Sequence, residues 1–343
     1  MNRSLFWRNE ETSDYARKRI PGMIVTSKGT ILAYYEARTA GSDWARMDIL
    51  CQRSVDGGAF FDAPIVLACG SDTHPTVNNP VMMEDKTNRI HFLYCEDYGT
   101  CGGRILRRYS DDDGMTWSEA ADITDATLPH YRNAFALGPG HGICTSSGML
   151  LVPVWMVPKY CGEPVQAHHP SSISTLFSLD DGETWQMGEI LSPTQDVISP
   201  SETVAAELSD GRIYLSIRQD AKCRCKAIGK TGFSAWETYG QEQTLIDPIC
   251  FGSVISVDHA EYGHLLLFVN CESITDRKNV VLKCSTDNGV TWSHRIVIDT
   301  DHGGYTEIAA DAKYGMIYVL YEEAYGEALH FVKLKFSELL GSI

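Results

Sequence analysis

Residues 177–186 read "FSLDDGETWQ", and nearly the same phrase stands at 109–118 ("YSDDDGMTWS") and at 284–293 ("CSTDNGVTWS"). All three fit the frame Ser-x-Asp-x-Gly-x-Thr-Trp, with Asp112, Asp180 and Asp287 in third place. A fourth stretch, "RSVDGGAFFD" at 53–62, keeps Ser54, Asp56 and Gly58 but carries Phe60 and Phe61 where Thr and Trp would stand. A frame met four times marks an internal repeat, and the repeat governs how the rest of the chain is read. The frames begin at Ser54, Ser110, Ser178 and Ser285, so the last interval is about twice the first. One more unit is therefore expected inside it, and "GKTGFSAW" at 229–236 lies at the right place, keeping Trp236 and a glycine displaced by one.

Between the frames come short runs rich in β-branched and aromatic residues, bounded by Gly, Asp or Asn: "GMIVT", "TILAYYEAR", "RIHFLYC", "GMLLVPVWM", "RIYLSIR", "HLLLFVN", "GMIYVLYEE" and "HFVKLKF". These read as strands. A helical turn is expected only near the end, at "SELL". Units of ~40–50 residues holding about four strands each are the signature of a β-propeller. The 343 residues accommodate six such units, so the sequence predicts an all-β fold, a six-bladed β-propeller of four-stranded antiparallel blades forming a single domain over 1–343. A pair of β-sandwiches is the alternative. Within the frame, Asp accepts backbone N–H groups in a tight turn, Gly takes positive φ and Trp pins the turn to its sheet. The repeated aspartates are thus expected to be structural.

Composition narrows the function. The chain carries 45 acidic against 29 basic side chains, a formal charge of −16. That balance argues against a nucleic-acid partner, because no basic tract is present to displace counterions. It also means that an anionic ligand must be drawn by a local cluster of Arg or Lys. No run approaches the ~18 apolar residues of a membrane span, so no membrane partner is expected. Eleven scattered cysteines fit a reduced, cytoplasmic setting better than a disulfide framework. The opening residues show no signal-peptide pattern, and a secreted location would require a leader ahead of them. "CRC" at 223–225 lacks a matching Cys/His pair at ligand spacing, and no metal or cofactor is expected.

With the strands and frames in place, the chain resembles the sialidases (exo-α-neuraminidases). "KRIPGMIVTSKGTILAYYEAR" is similar to that family's first blade with its Arg-Ile-Pro motif, and the repeated frame to its Asp-box. "GPGHGI", "SETVAAELSDGRIYLSIR", "DRKNVVLKCSTDNG", "GGYTEI" and "VLYE" continue the likeness in order along the chain. The resemblance implies a retaining exo-α-sialidase that releases terminal sialic acid from glycoconjugates through a covalent tyrosyl-sugar intermediate, its partner a sialylated glycan or oligosaccharide.

It also implies roles. Arg19, Arg218 and Arg277 would grip the sugar carboxylate, for which planar guanidinium forks are suited. Tyr305 would be the nucleophile. A neutral phenol avoids the repulsion that a carboxylate would meet at an anomeric centre already bearing one, and a tyrosine nucleophile is known for sialidases as a group. Glu202 would be its base, with Glu207 the competing choice. Asp43, five residues after the substrate-binding Arg38, would be the acid, with Asp48 the alternative. Glu322 would hold Arg19 in place. Asn79, Met82 and Trp44 are candidates for a pocket around the N-acetyl group. Lys18 stands where the family often has an aromatic residue, and the first box has lost its Trp. Two alternatives remain open: hydrolysis of a related 2-keto-3-deoxy sugar acid glycoside, and a sugar-binding propeller without catalysis.

Overall fold

The computed structural model describes residues 1–9, 14–97, 103–127, 134–157 and 169–341. Its strands pair into six sheets arranged as the blades of a propeller. Blade one comprises Arg17–Val25, Ile31–Arg38, Met47–Ser54 and Ile65–Cys69; blade two comprises Val77–Glu84, Ile90–Glu96, Arg104–Ser110 and Ala121–Asp122. Blade three follows with Ala134–Leu137, Leu150–Val157, Ser172–Ser178 and Gln186–Met187. Thr203–Glu207, Ile213–Ile217, Cys223–Gly229 and Trp236–Ile246 form blade four, and Ser253–His259, Gly263–Cys271, Val280–Ser285 and His294–Asp299 blade five. The sixth takes Thr306–Asp311, Met316–Glu323 and Ala328–Lys335, and borrows Asn2–Arg8 as its outermost strand.

The expected six-bladed all-β architecture is therefore present, with two departures from four strands per blade. Gly140–His141 adds a short parallel strand to blade two, and Ile143–Cys144 adds a short antiparallel strand to blade three. A short helix, Phe336–Leu340, follows the last strand. The second strand of a blade is covered on both faces, so its sequence is an apolar run rather than an alternation. Every residue of Ile31–Arg38 and of Leu150–Val157 is buried. The core lies between blades: Leu32, Tyr34 and Ile49 of blade one pack with Met82, Phe92 and Leu106 of blade two in one cluster.

The repeated frames close the turn from third to fourth strand. Ser54, Ser110, Ser178 and Ser285 each end a third strand. In the Asp180 turn, Ser178 Oγ donates to Asp180 Oδ1 at 2.8 Å and accepts the Gly182 N–H at 2.9 Å. Asp180 in turn accepts the Thr184 N–H at 2.9 Å and its hydroxyl at 2.6 Å, while Trp185 Nε1 donates to Gly182 O at 3.0 Å. Asp112 and Asp287 repeat the aspartate bonds. In the first frame Phe61 replaces the staple by packing edge-on against Phe331 at 5.2 Å and Phe6 at 4.9 Å. The hidden fourth unit is real: "GKTGFSAW" spans the same turn of blade four, where Thr231 Oγ1 accepts the Ser234 N–H at 3.0 Å in the aspartate's stead. Blade six has no frame for a topological reason. Its third and fourth strands come from opposite ends of the chain, so no turn joins them.

Ser54 pairs with Ile31, whereas Arg38 pairs with Met47 at the other end of the same ladder. The seven steps from Ile31 to Arg38 span ~23 Å at the usual rise of a strand. The boxes therefore occupy one end of the propeller, and the candidate site residues the other.

Candidate active site

Inner strands begin at the end of the propeller away from the boxes, and their first residues surround a cavity of about 350 Å³. Lining it are Arg19, Arg38, Arg218 and Arg277, with Asp43, Glu202 and Tyr305 among the remaining residues. The local basic cluster that the acidic composition called for is here.

Two inner strands reach the cavity through the same backbone device. In "RIP", Arg19 pairs with Glu36 and Gly22 with Tyr34, so one extra residue sits in the first strand. Ile20 takes φ 54° there and Pro21 follows. In "NNP" of blade two, Asn79 takes φ 51° before Pro80, and the register slips again between Asn78 and Val81. Such bulges re-aim side chains, and proline is tolerated in them because a ladder donor is already lost. Gly22 is required as well, since a Cβ there would lie 2.0 Å from the Tyr34 ring. A β-branched residue at positive φ is strained, and the compensation is visible: Ile20 N–H donates to Glu322 Oε1 at 2.8 Å.

Glu322 is wholly buried and also receives the Arg19 fork, Nε on Oε1 and Nη2 on Oε2, each at 3.2 Å. Arg19 thereby crosses from blade one to blade six. Arg218 follows the second strand of blade four; its backbone N–H donates to Glu202 O at 2.9 Å, and its Nη1 to Glu202 Oε2 at 2.5 Å and Tyr305 Oη at 2.9 Å. Arg277, from the turn between the second and third strands of blade five, makes a long contact of 3.5 Å to Ile249 O and lies 5.5 Å over the Tyr305 ring.

Tyr305 precedes the first strand of blade six. Its hydroxyl donates to Glu202, and its ring stacks on Phe251 at 5.4 Å. Burial pushes the phenol well above its usual value and Glu202 adds to this, while Arg218, Arg277 and Arg19 work in the opposite direction. The group is thus held as a neutral hydroxyl bonded to the Glu202 side chain, with three cations close enough to favour phenolate as charge develops. Across the cavity Asp43, on the exposed loop after Arg38, accepts from Arg38 Nη1 and lies 3.6 Å from Arg19 Nη1.

The competing choices fall elsewhere. Glu207, five residues along the strand from Glu202, accepts the N–H and hydroxyl of Ser146, both at 2.7 Å. Asp48 accepts from Tyr15 Oη at 2.5 Å and Gly70 N at 3.0 Å. Neither lines the cavity. Of the residues considered for an N-acetyl pocket, Asn79 lines it but Met82 and Trp44 do not: Met82 is sealed in the core between blades one and two, and Trp44 packs on another apolar cluster. Trp155 takes such a place instead, from the end of an apolar run that reads as core. Tyr325 was also invisible in the sequence. It stands at φ 56° in an exposed turn, its ring 5.0 Å from the Arg277 guanidinium and 5.9 Å from that of Arg19. Two successive left-handed non-glycine residues, Ala324 and Tyr325, are the structural signal, and no sequence pattern announces them.

Among the described residues, the one His/Asp/Glu group able to share an ion is His74, Glu96 and Asp97, outside the cavity. Arg104 already occupies Glu96, its Nε donating at 2.9 Å. Cys223 and Cys225 are buried thiols.

Curated relatives include a sialidase of Bacteroides fragilis, 28% identical over 351 aligned positions that cover 92% of this chain and 62% of the relative. A sialidase of Micromonospora viridifaciens is 29% identical, over 88% of this chain and 49% of the relative. The chain thus spans about half to three fifths of these relatives' lengths. Among solved structures, the Hadza microbial sialidase Hz136 superposes with a TM-score of 0.83 at 24% identity, over 97% of this chain and 68% of the other. The intramolecular trans-sialidase from Ruminococcus gnavus superposes at 0.82 and 16% identity, over 98% of both chains. At these identities the structures speak for the fold. The model of the BNR repeat-like domain matches residues 66–319, well over half of the chain. The six-bladed ring, its stapled turns and that match together make this chain a member of the BNR repeat-like domain family.

Proposed function

We propose that the protein is a retaining exo-α-sialidase acting on a sialylated glycan or oligosaccharide. The observation that carries the reading is the Tyr305 hydroxyl bonded to Glu202 beneath Arg19, Arg218 and Arg277. The names of its relatives support it. A cavity of about 350 Å³ suits one terminal sugar better than an internal stretch of chain.

In the first step Tyr305 Oη forms a bond to the anomeric carbon as the glycosidic C–O bond breaks. Glu202 takes the phenol proton, and Asp43 gives its proton to the departing oxygen. In the second step water attacks the same carbon and loses a proton to Asp43. The tyrosyl bond breaks, and Glu202 returns the proton to the phenolate. The guanidinium groups hold the substrate carboxylate through both steps and favour the charge that develops on Tyr305. The geometry suits the order of proton transfers: the base touches the nucleophile from below, while the acid stands on the solvent side, where the leaving group exits.

The test is covalent labelling. A 3-fluorosialosyl fluoride should trap the sugar on the peptide containing "GGYTEI", and Tyr305→Phe should abolish the label while retaining binding of a sialic-acid-like inhibitor. A protein that binds sialic acid but never acquires the label would be a sugar-binding propeller. A panel of α-ketosides with different nonulosonic acids then separates sialic acid from related 2-keto-3-deoxy sugars.

A further inference from the structure

The strand Ile31–Arg38 carries Glu36 two residues before Arg38, so both side chains leave the same face. Glu36 is fully buried, yet both its oxygens are engaged. Oε1 accepts the Asn79 N–H at 2.8 Å, and Oε2 accepts Arg38 Nε at 2.8 Å and Nη2 at 2.5 Å. The remaining arm of the guanidinium, Nη1, donates to Asp43. A continuous path therefore runs from the left-handed Asn79 in blade two, through Glu36 and Arg38, to a carboxyl group on an exposed loop.

We propose that Glu36 is the positioning residue of the acid: it fixes the Arg38 guanidinium so that Nη1 meets Asp43, and its charge offsets Arg38 so that Asp43 can hold a proton. The inference rests on the reading of Asp43 as the acid. An acid must carry a proton between turnovers, yet Asp43 faces two guanidinium groups, which favour the carboxylate. Each of these cations has a wholly buried carboxylate behind it, Glu36 behind Arg38 and Glu322 behind Arg19. Around the rest of the cavity stand His169, Glu202, Arg218, Asp220, Arg277 and Tyr305, and Glu202 is already committed to Arg218 and Tyr305. Glu36 is thus the charge best placed to moderate Arg38. Burial raises its own carboxyl, with Arg38 and the Asn79 N–H opposing. All its hydrogen-bond contacts are N–H donors, which a carboxylate satisfies and a protonated acid does not.

The experiment measures kcat/KM against pH for the wild type, Glu36→Gln, Glu36→Asp and Asp43→Ala. It uses sialyllactose, a poor leaving group, and a nitrophenyl sialoside, which departs without a proton. Glu36→Gln should lose about 10- to 100-fold on sialyllactose and under about threefold on the nitrophenyl substrate. Its basic limb should move about one unit down in pH, because an uncompensated Arg38 lowers the acid's pKa. Glu36→Asp retains the charge, so its limb should stay at the wild-type pH while sialyllactose turnover falls through the shortened reach. Equal losses on both substrates with unmoved limbs, beside an Asp43→Ala variant that does discriminate between them, would overturn the inference. If Asp43→Ala itself fails to discriminate, the acid is another residue and both readings fall. Should Glu36→Gln not fold, the substrate dependence of Glu36→Asp decides, with equal losses again counting against the proposal.

Discussion

The two ends of the propeller solve opposite problems. At the box end each turn closes on itself: Asp180 is bonded to residues at most four positions away, and Asp112 and Asp287 repeat its contacts. At the other end, apart from the Glu36–Arg38–Asp43 run, the contacts join distant parts of the chain. Arg19 meets Glu322 across 303 residues, and Tyr305 meets Glu202 across 103. Backbone strain follows the same division. The four aspartate boxes use Asp, Asn and Gly at positive φ, residues suited to it, and the degenerate unit of blade four uses Ala235, while the cavity end places the bulkier Ile20 and Tyr325 there. Local, repeated bonding makes a scaffold; distant, unrepeated bonding builds a reactive arrangement on it.

If that contrast holds, substitutions at the two ends should fail in different ways. The largest effect belongs to Tyr305 and Glu202, the proposed nucleophile and base. Tyr305→Phe and Glu202→Gln should each lower kcat/KM on sialyllactose by about 10³-fold or more with little change in melting temperature. Retained activity in Tyr305→Phe would remove the cavity's main chemical claim. Next comes Arg277→Ala, expected to weaken a carboxylate-bearing inhibitor by about 2–5 kcal/mol in calorimetry, with Lys a poor replacement because it lacks the fork. Asp180→Ala should do the reverse, costing about 1–3 kcal/mol of stability in denaturant melts while kcat/KM stays within twofold or so. A box variant that folds normally yet loses turnover would break the division between the ends.

The smallest expected effect tests Lys18, a buried lysine beside the site. Lys18 lies between Trp7, 4.7 Å away, and the Tyr35 ring at 4.5 Å, and donates to Tyr35 Oη at 3.0 Å. Burial lowers its amine from 10.5 to about 8. A depressed amine means that the unfolded chain binds the extra proton, so this group's penalty is full below pH 8 and fades between 8 and 10.5 as pH rises. Lys18→Met should raise stability near neutral pH by about 1 kcal/mol after loss of the cation–π contacts, and by nothing at pH 10.5 and above. A stability gain equal at both pH values would assign the effect to packing.

How legible each end was in the sequence follows from the same physics. The boxes could be read directly because their bonds lie within eight residues, and so each leaves a phrase. Even the degenerate unit at 229–236 could be placed by spacing alone. The cavity residues could be named only by resemblance, because convergence of Arg19, Glu202, Arg218, Arg277 and Tyr305 depends on ring closure rather than on sequence neighbours. Glu36 carries no such signal because it looks like one more residue of a buried strand, and Trp155 none because it ends an apolar run. "RIP" and "NNP" share a device only at the level of the ladder, in the bulge that each makes.

The strand Asn2–Arg8 completes blade six, and Arg19 reaches from blade one to Glu322 of blade six. The seam of the ring therefore passes through the cavity. During synthesis, five blades can emerge and pack while the contacts of Arg19 with Glu322 and of Arg218 with Tyr305 are still unmade, because Tyr305 and Glu322 arrive last. Closing so long a loop is slow and entropically unfavourable. The proposed activity would then be a late reporter of folding, appearing only when the two ends of the chain have met. A nascent chain arrested before residue 322 should hold most of the core and none of the chemistry.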